Sequence, residues 1–178
     1  MKDVIVSYSS SYGHTKKYAE YIARELNCEI VDFSQTRVRD YKPYDIIVYC
    51  APIKNNMVVD AYQFTYNFNL LKDNVQLYVF ADGILKPSEE LLKSIVSENF
   101  YKGDAGKVHF FYGEGGLDID TLKWSDMLHL RYYIEEAARS KPGDRYYELA
   151  KLIGDPFDNS NMAYADALIQ KVLEELDE

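Results

Sequence analysis

Cysteine is close to absent from this sequence: Cys28 and Cys50 are the only two in 178 residues. Two so far apart give neither a metal-ligand spacing nor a disulfide framework. They suit a reducing compartment, so the cytoplasm is the expected location. Long apolar runs are missing too. The longest, residues 46–53, has the length of a strand, whereas a helix that spans a bilayer needs about 20 residues. No basic-then-apolar leader is seen before the first apolar stretch. Positive charge is scarce: 20 Lys and Arg against 29 Asp and Glu leave a net charge of −9, with an acidic tail of Glu174, Glu175, Asp177 and Glu178. Nucleic acid and anionic lipid both call for basic surface, so neither is an expected partner. There is no G-x-x-x-x-G-K-[ST] and no G-x-G-x-x-G. No Ser-His-Asp or Cys-His arrangement, zincin motif or carboxylate pair supports hydrolysis, and no catalytic residue is assigned.

What is present is organised around residues 4–26, VIVSYSSSYGHTKKYAEYIAREL. Val4, Ile5 and Val6 are β-branched and read as a buried strand. The loop that follows, Ser9, Ser10, Ser11, Tyr12, Gly13, His14 and Thr15, offers hydroxyls and backbone N–H groups at a helix start. Such a loop suits a phosphate, because the helix N-terminus carries partial positive charge and Gly13 lets the backbone come close. Tyr18, Ala19, Ile22, Ala23 and Leu26 recur at helical spacing and give the helix one face for a sheet.

Further strands are expected at residues 29–33, 44–50, 75–81 and 107–112, with Asp82 and Gly83 breaking the fourth. Helices are expected over residues 58–71 (Tyr62, Tyr66 and Leu70 at four-residue intervals), from Pro87 onward (Leu91, Leu92, Ile95 and Val96 as its stripe), over 124–139 and over 161–176. Five strands alternating with helices argue for an α/β chain with a parallel sheet covered on both faces. One domain over residues 1–178 is expected, with a helical segment, residues 113–158, inserted before the last helix.

Ser-x-x-x-Gly-His-Thr directly after a first strand resembles the FMN-phosphate loop of the flavodoxin superfamily. The run YSSSYGHTKKYAEYIA is most similar to flavodoxin-domain proteins of the menaquinone-dependent protoporphyrinogen oxidase type. It also resembles quinone reductases of the tryptophan-repressor-binding type, whose loop likewise has Tyr-Gly-His. A Gly-Gly-Leu-Asp stretch after the fifth strand, followed by an aromatic-rich helix, is again similar to the oxidase type. The resemblance covers nearly the full chain, and the phosphate loop is its specific part.

The resemblance implies a flavodoxin-like three-layer sandwich with strand order 2-1-3-4-5, which sets the loops after strands one and three side by side at a switch point. It implies FMN as cofactor and an electron-transfer protein or oxidoreductase, with a redox partner protein or a small quinone-like acceptor. An oxidase-type or quinone-reducing enzyme is one alternative, and a flavin-free interaction module of the same fold is the other. It puts the phosphate at the loop of Ser9 to Thr15, with His14 contributing its backbone N–H. Pro52, Ile53, Lys54, Asn55 and Asn56, in a loop from Ala51, flank the ring; Ala81, Asp82 and Gly83 meet its other edge. Tyr12 and Tyr112 are candidates for ring contact. His109 and His129 read as structural.

Two departures stand out. The 51–56 loop has no glycine where flavodoxin-like proteins commonly place one; Asn55 or Asn56 is the expected substitute, since Asn tolerates positive φ. The 113–158 segment carries Asp118, Asp120, Asp126, Glu135 and Glu136 where the oxidase type tends to be basic. Lys54 brings a positive charge to the ring-flanking loop.

Overall fold

The computed structural model describes residues 2–101 and 106–177. Met1 and Glu178, the two ends of the expected domain, lie outside the described residues. Strands β1 (Val4–Tyr8), β2 (Glu29–Asp32), β3 (Ile46–Lys54), β5 (Gln76–Gly83) and β6 (Val108–Glu114) form the sheet in the order β2-β1-β3-β5-β6. Each neighbour pair is parallel, with Val6 opposite Val48 and Val48 opposite Tyr78 in the register. Taken as parallel strands alone, this is the expected order 2-1-3-4-5. A two-residue strand, β4 (Met57–Val58), is added antiparallel to the end of β3.

Helix α1 (His14–Glu25) shows why the sequence folds this way locally. Tyr18, Ala19, Ile22 and Ala23 are buried on one face, and removing a side chain of Ile size from water is worth about 1.5–3 kcal/mol. The helix stops where Asn27 takes a φ of 49° and Asn27 and Cys28 donate back to the carbonyls of Arg24 and Ala23, a left-handed cap that Asn supports. That face packs with α6 (Asp166–Asp177), through Leu168, Ile169 and Val172, against one side of the sheet. The other side carries Phe33, Tyr41, Phe64 and Leu71, with Ile95 from α3 (Glu89–Asn99). Two cores on the two faces make the three layers.

Several expected boundaries shift. Tyr44 and Asp45 precede β3, which instead runs on through Lys54. Phe33 leaves β2 and puts its ring into the core from a short 3-10 turn. Asp82 and Gly83 do not break their strand: they pair with Gly113 and Glu114, and the Gly115 N–H donates to the Gly83 carbonyl at 2.8 Å. The helix expected over 58–71 is mostly absent. Val58 belongs to β4, Asp60 turns the chain at φ 59°, and only α2 (Ala61–Thr65) and a 3-10 turn at Phe68–Leu70 remain. Tyr62, Tyr66 and Leu70 are exposed, so their spacing marked a surface rather than a core face. In α3, Val96 likewise faces water while Ile95 is fully buried.

After β6 the chain forms β7 (Gly116–Leu117), α4 (Trp124–Ala137), α5 (Arg145–Lys151) and β8 (Phe157–Asp158), with β7 and β8 antiparallel. Leu130 and Ala137 of α4 and Leu149 of α5 are buried. Trp124 is 77% exposed.

Candidate functional site

At the carboxyl ends of β1, β3 and β5 lies one cleft. Ser10, Ser11, Tyr12, His14, Thr15, Pro52, Ile53, Lys54, Asn55, Asn56, Asp82 and Gly83 all line it. Of the expected site residues, Ser9, Gly13 and Ala81 do not reach the cleft wall. Ser9 is held by its N–H on the Cys50 carbonyl at 2.9 Å, and Ala81 is fully buried in the sheet. Gly13 shapes the loop: its φ of 95° turns the chain into α1, its N–H meets the Ser10 hydroxyl at 3.1 Å, and a Cβ there would meet nothing within 4 Å. The first turn of α1 has no acidic residue, so the partial positive charge of the helix start is left uncancelled from within the helix.

The glycine-free stretch is a hairpin. β3 and β4 pair Ile53 with Val58 and Lys54 with Met57, leaving Asn55 and Asn56 as a two-residue turn with φ 54° and 65°. Positive φ at both positions is what a hairpin of right-handed twist requires, and Asn is the side chain that most readily adopts it after Gly. Asn99, the last residue of α3, clamps the turn: Val58 N–H donates to Asn99 Oδ1 at 2.7 Å, and Asn99 Nδ2 donates to the Asn56 carbonyl at 2.7 Å. Asn56 is 2% exposed; its Nδ2 donates to the Ser94 hydroxyl at 3.0 Å, and its Oδ1 is buried with no hydrogen-bond partner among the described residues.

The third wall is set by Asp82 and Tyr112. Tyr112 donates to the Leu85 carbonyl at 2.5 Å, and its hydroxyl lies 2.7 Å from where a Cβ on Gly83 would be. Only glycine fits there without moving the ring. Thr15 donates to Asp82 Oδ1 at 2.5 Å. Burial pushes the Asp82 carboxyl up to about 6, against the Thr15 hydrogen bond and the nearby His14.

The roof comes from residues that sequence reasoning did not assign to the site. Asp126, His129, Leu130 and Tyr133 of α4, with Leu149 of α5, line the same cleft. Asp126 accepts from Tyr12 and from Lys54 at 3.0 Å, Tyr133 donates to Asn55, and Asn55 Nδ2 lies 3.4 Å from His129 Nδ1. Partial burial works against the Asp126 carboxylate, yet the Tyr12 and Lys54 hydrogen bonds hold it below its usual range. Tyr12 is thereby part of a latch between the loop and α4, and Lys54 is a paired charge. A lone Asp in the first turn of a helix carries no local sign of such a role.

A second strap ties the loop from its far side. His14 Nδ1 is 3.2 Å from Asp158 Oδ1, and Lys17 is 2.6 Å from the same carboxylate. Gly116 permits this approach: a Cβ there would lie 2.6 Å from His14 Cε1.

The donor set fits a phosphate-bearing flavin. Ser hydroxyls and N–H groups gather at a helix start with open space before Gly13. The rest of the cleft is largely apolar, through Ile53, Ile84, Leu85, Leu91, Leu122 and Leu130, as a ring-shaped ligand requires. The model of the flavodoxin domain family matches residues 5–141. None of the curated proteins matches the chain in sequence. The rubredoxin oxygen:oxidoreductase of the anaerobe Desulfovibrio gigas is similar at a TM-score of 0.51 and 12% identity, over 100% of this chain, which spans only 38% of that one. The two-electron reduced Megasphaera elsdenii flavodoxin matches 61% of this chain and 82% of its own, at 0.43 and 16%. A flavoprotein of Lactobacillus acidophilus NCFM, solved in complex with FMN, matches 64% and 93%, at 0.45 and 14%.

Proposed function

Because the chain belongs to the flavodoxin domain family, we propose that its cleft holds FMN and that the protein is a flavin-dependent redox protein, an electron carrier or a reductase. The observation that carries this is the left-handed turn at Gly13, which delivers a Ser-rich loop onto the start of α1 at the mouth of an apolar cleft. Ser9 to Thr15 would form the phosphate loop, with Ser9 anchoring its base on the Cys50 carbonyl. Pro52, Ile53, Lys54, Asn55 and Asn56 would flank the ring on one edge and Gly83 on the other, with Ala81 buried behind it and Asp82 turned through Thr15 toward the phosphate loop. When bound, FMN supplies the redox chemistry; the protein supplies binding, orientation and field.

The chain's own part follows from its walls. Lys54 is neutralised by Asp126, so the hairpin offers the ring no uncompensated charge. Asn99 fixes the hairpin backbone, and α4 with α5 shields the cleft from water. We place the electron partner in solution, as a redox protein or a small quinone-like acceptor. Residues 113–158 carry ten acids against six bases, which disfavours docking on anionic lipid. The protoporphyrinogen-oxidase-type reading is the weaker one on that ground. Among the described residues no helix is long and apolar enough to cross a membrane. We read residues 1–178 as one domain, and the free Cys28 and Cys50 fit a cytoplasmic setting.

The test is direct titration of the purified protein with FMN and with riboflavin. Quenched flavin fluorescence and FMN affinity in the micromolar range or tighter are expected. No flavin affinity down to millimolar concentration would instead support the flavin-free interaction module, the reading that the latch of Tyr12, Lys54 and Asp126 across the cleft favours.

A further inference from the structure

Asp82 is unusual company for a phosphate. The first turn of α1 has no acid of its own, yet the fold brings one to it from the end of β5. Asp82 is 5% exposed and takes the Thr15 hydroxyl at 2.5 Å, so Thr15 is not free to donate to a ligand. Burial outweighs what the surrounding groups do for the charge. From α1, His14 and Tyr18 face it; from β3, the buried Cys50 thiol. From β6 come Tyr112, committed to the Leu85 carbonyl, and Glu114, which accepts from Tyr164 at 2.5 Å and Asn159 at 3.4 Å. His14 and Lys17 are both engaged by Asp158. Asp82 therefore faces the loop as a buried carboxylate whose side-chain hydrogen bond comes from Thr15, with His14 and Lys17 both drawn to Asp158.

Building on the FMN reading above, we propose that Asp82 selects the charge at the phosphate end of the ligand: a phosphate-bearing flavin enters the loop only with the Asp82 carboxyl protonated, so that binding takes up one proton, whereas riboflavin binds without that uptake. The proton comes from solution and forms an O–H on Asp82; no electron moves. The neutral carboxyl no longer repels the phosphate and has a proton to donate. Thr15, released from a charged acceptor, can turn its hydroxyl to the ligand. Burial has already raised the carboxyl to about 6, so the proton is within reach near neutral pH.

The experiment compares the unaltered protein with Asp82→Asn, which keeps an acceptor for Thr15 but never ionises. FMN and riboflavin affinities are measured by fluorescence quenching from pH 5 to 8 at constant ionic strength. A phosphate monoester itself ionises near pH ~6, and the ratio between the two proteins removes that contribution. The FMN affinity ratio, Asp82→Asn over unaltered, is expected near one at pH 5 and about tenfold at pH 7, since each pH unit above the pKa costs up to about tenfold. The riboflavin ratio is expected to stay flat. An FMN ratio that does not change with pH, or one matched by riboflavin, overturns the proposal while leaving FMN binding intact. Absence of any flavin binding in either protein overturns the FMN reading and this one with it. Should Asp82→Asn not fold, infrared spectra of the unaltered protein at pH 7.5 decide. A carboxylic C=O band is expected with FMN and not with riboflavin, and its absence counts against the proposal.

Discussion

Lys54 and Asp126, 72 positions apart in the chain, face each other with Nζ 3.0 Å from both carboxylate oxygens. Tyr12 donates to the same carboxylate, and its ring centroid lies 5.8 Å from Nζ. A lysine that the sequence offers as a positive neighbour of the ring is thus half of an ion pair joining the β3–β4 hairpin to α4.

That pair is expected to act on access more than on stability. Both partners are partly exposed, and such a pair contributes at most about 1 kcal/mol to folding. Asp126→Ala should therefore shift the melting temperature little while bound FMN dissociates several-fold faster. Lys54→Met should do the same, and the double variant should add little, because the two side chains share one interaction. Stopped-flow release of FMN into excess competing apoprotein, beside thermal melts, checks all three.

The clamp on the hairpin should cost more. Asn99→Ala strands the Val58 N–H and the Asn56 carbonyl in a half-buried position, and each lost partner of this kind costs about 1–3 kcal/mol. The expected outcome is a loss of at least about 2 kcal/mol in urea unfolding, with faster amide exchange at Val58. Unchanged exchange there would show that the clamp does not hold the turn.

The turn itself separates two substitutions by their backbone cost. Asn55 has φ 54°, so Asn55→Ala should destabilise by about 1–2 kcal/mol from left-handed strain. Asn55→Gly should come out near neutral on the backbone, because glycine adopts this region freely. It also removes the contacts to Tyr133 and His129, so FMN release should quicken in both variants. Chemical denaturation separates the two effects.

Asp82 should leave its mark on the pH dependence of stability. Its carboxyl titrates at about 6 when folded, against an ordinary value of 3.8, so between those limits the native state binds more protons than the unfolded one. Stability from this group is complete at low pH and falls as pH rises from about 4 to 6. The fall is at most roughly 3 kcal/mol, at about 1.36 kcal/mol for each pH unit separating the two values. Asp82→Asn should remove that slope and be the more stable protein at pH 7–8. Equal pH profiles for the two proteins would contradict the burial of a charged Asp82.

Much of the fold was legible because it rests on short periods. Val4–Tyr8, the turn at Gly13 and the stripe Tyr18, Ala19, Ile22, Ala23 lie within one strand–loop–helix unit; the parallel sheet follows from strands alternating with helices, and its order came from the family resemblance. Where residues 58–71 defeated that reasoning, the cause was physical. The exposed Tyr62, Tyr66 and Leu70 mimic a helical core stripe, and pairing of Met57 and Val58 with β3 outweighs it. The cleft's three strand-end loops could be named from sequence, since the strand order that the resemblance implies puts them at one edge of the sheet.

The sequence by itself therefore located the five parallel strands and most of the helices that cover them, and its family resemblance indicated which loops meet. Tertiary structure alone decided what those loops touch. The Thr15–Asp82 bond spans 67 positions, Lys54–Asp126 spans 72, Tyr133–Asn55 spans 78 and the Asn99 clamp on Asn56 spans 43. Hydrophobic periodicity reports which face of an element is buried, and it carries no information on which polar side chains from distant elements come to share a cleft. Those pairings are settled only when the elements pack, α1 on β5, α3 on the hairpin and α4 over the strand ends, because burying a hydroxyl, amide or carboxylate without a partner is costly.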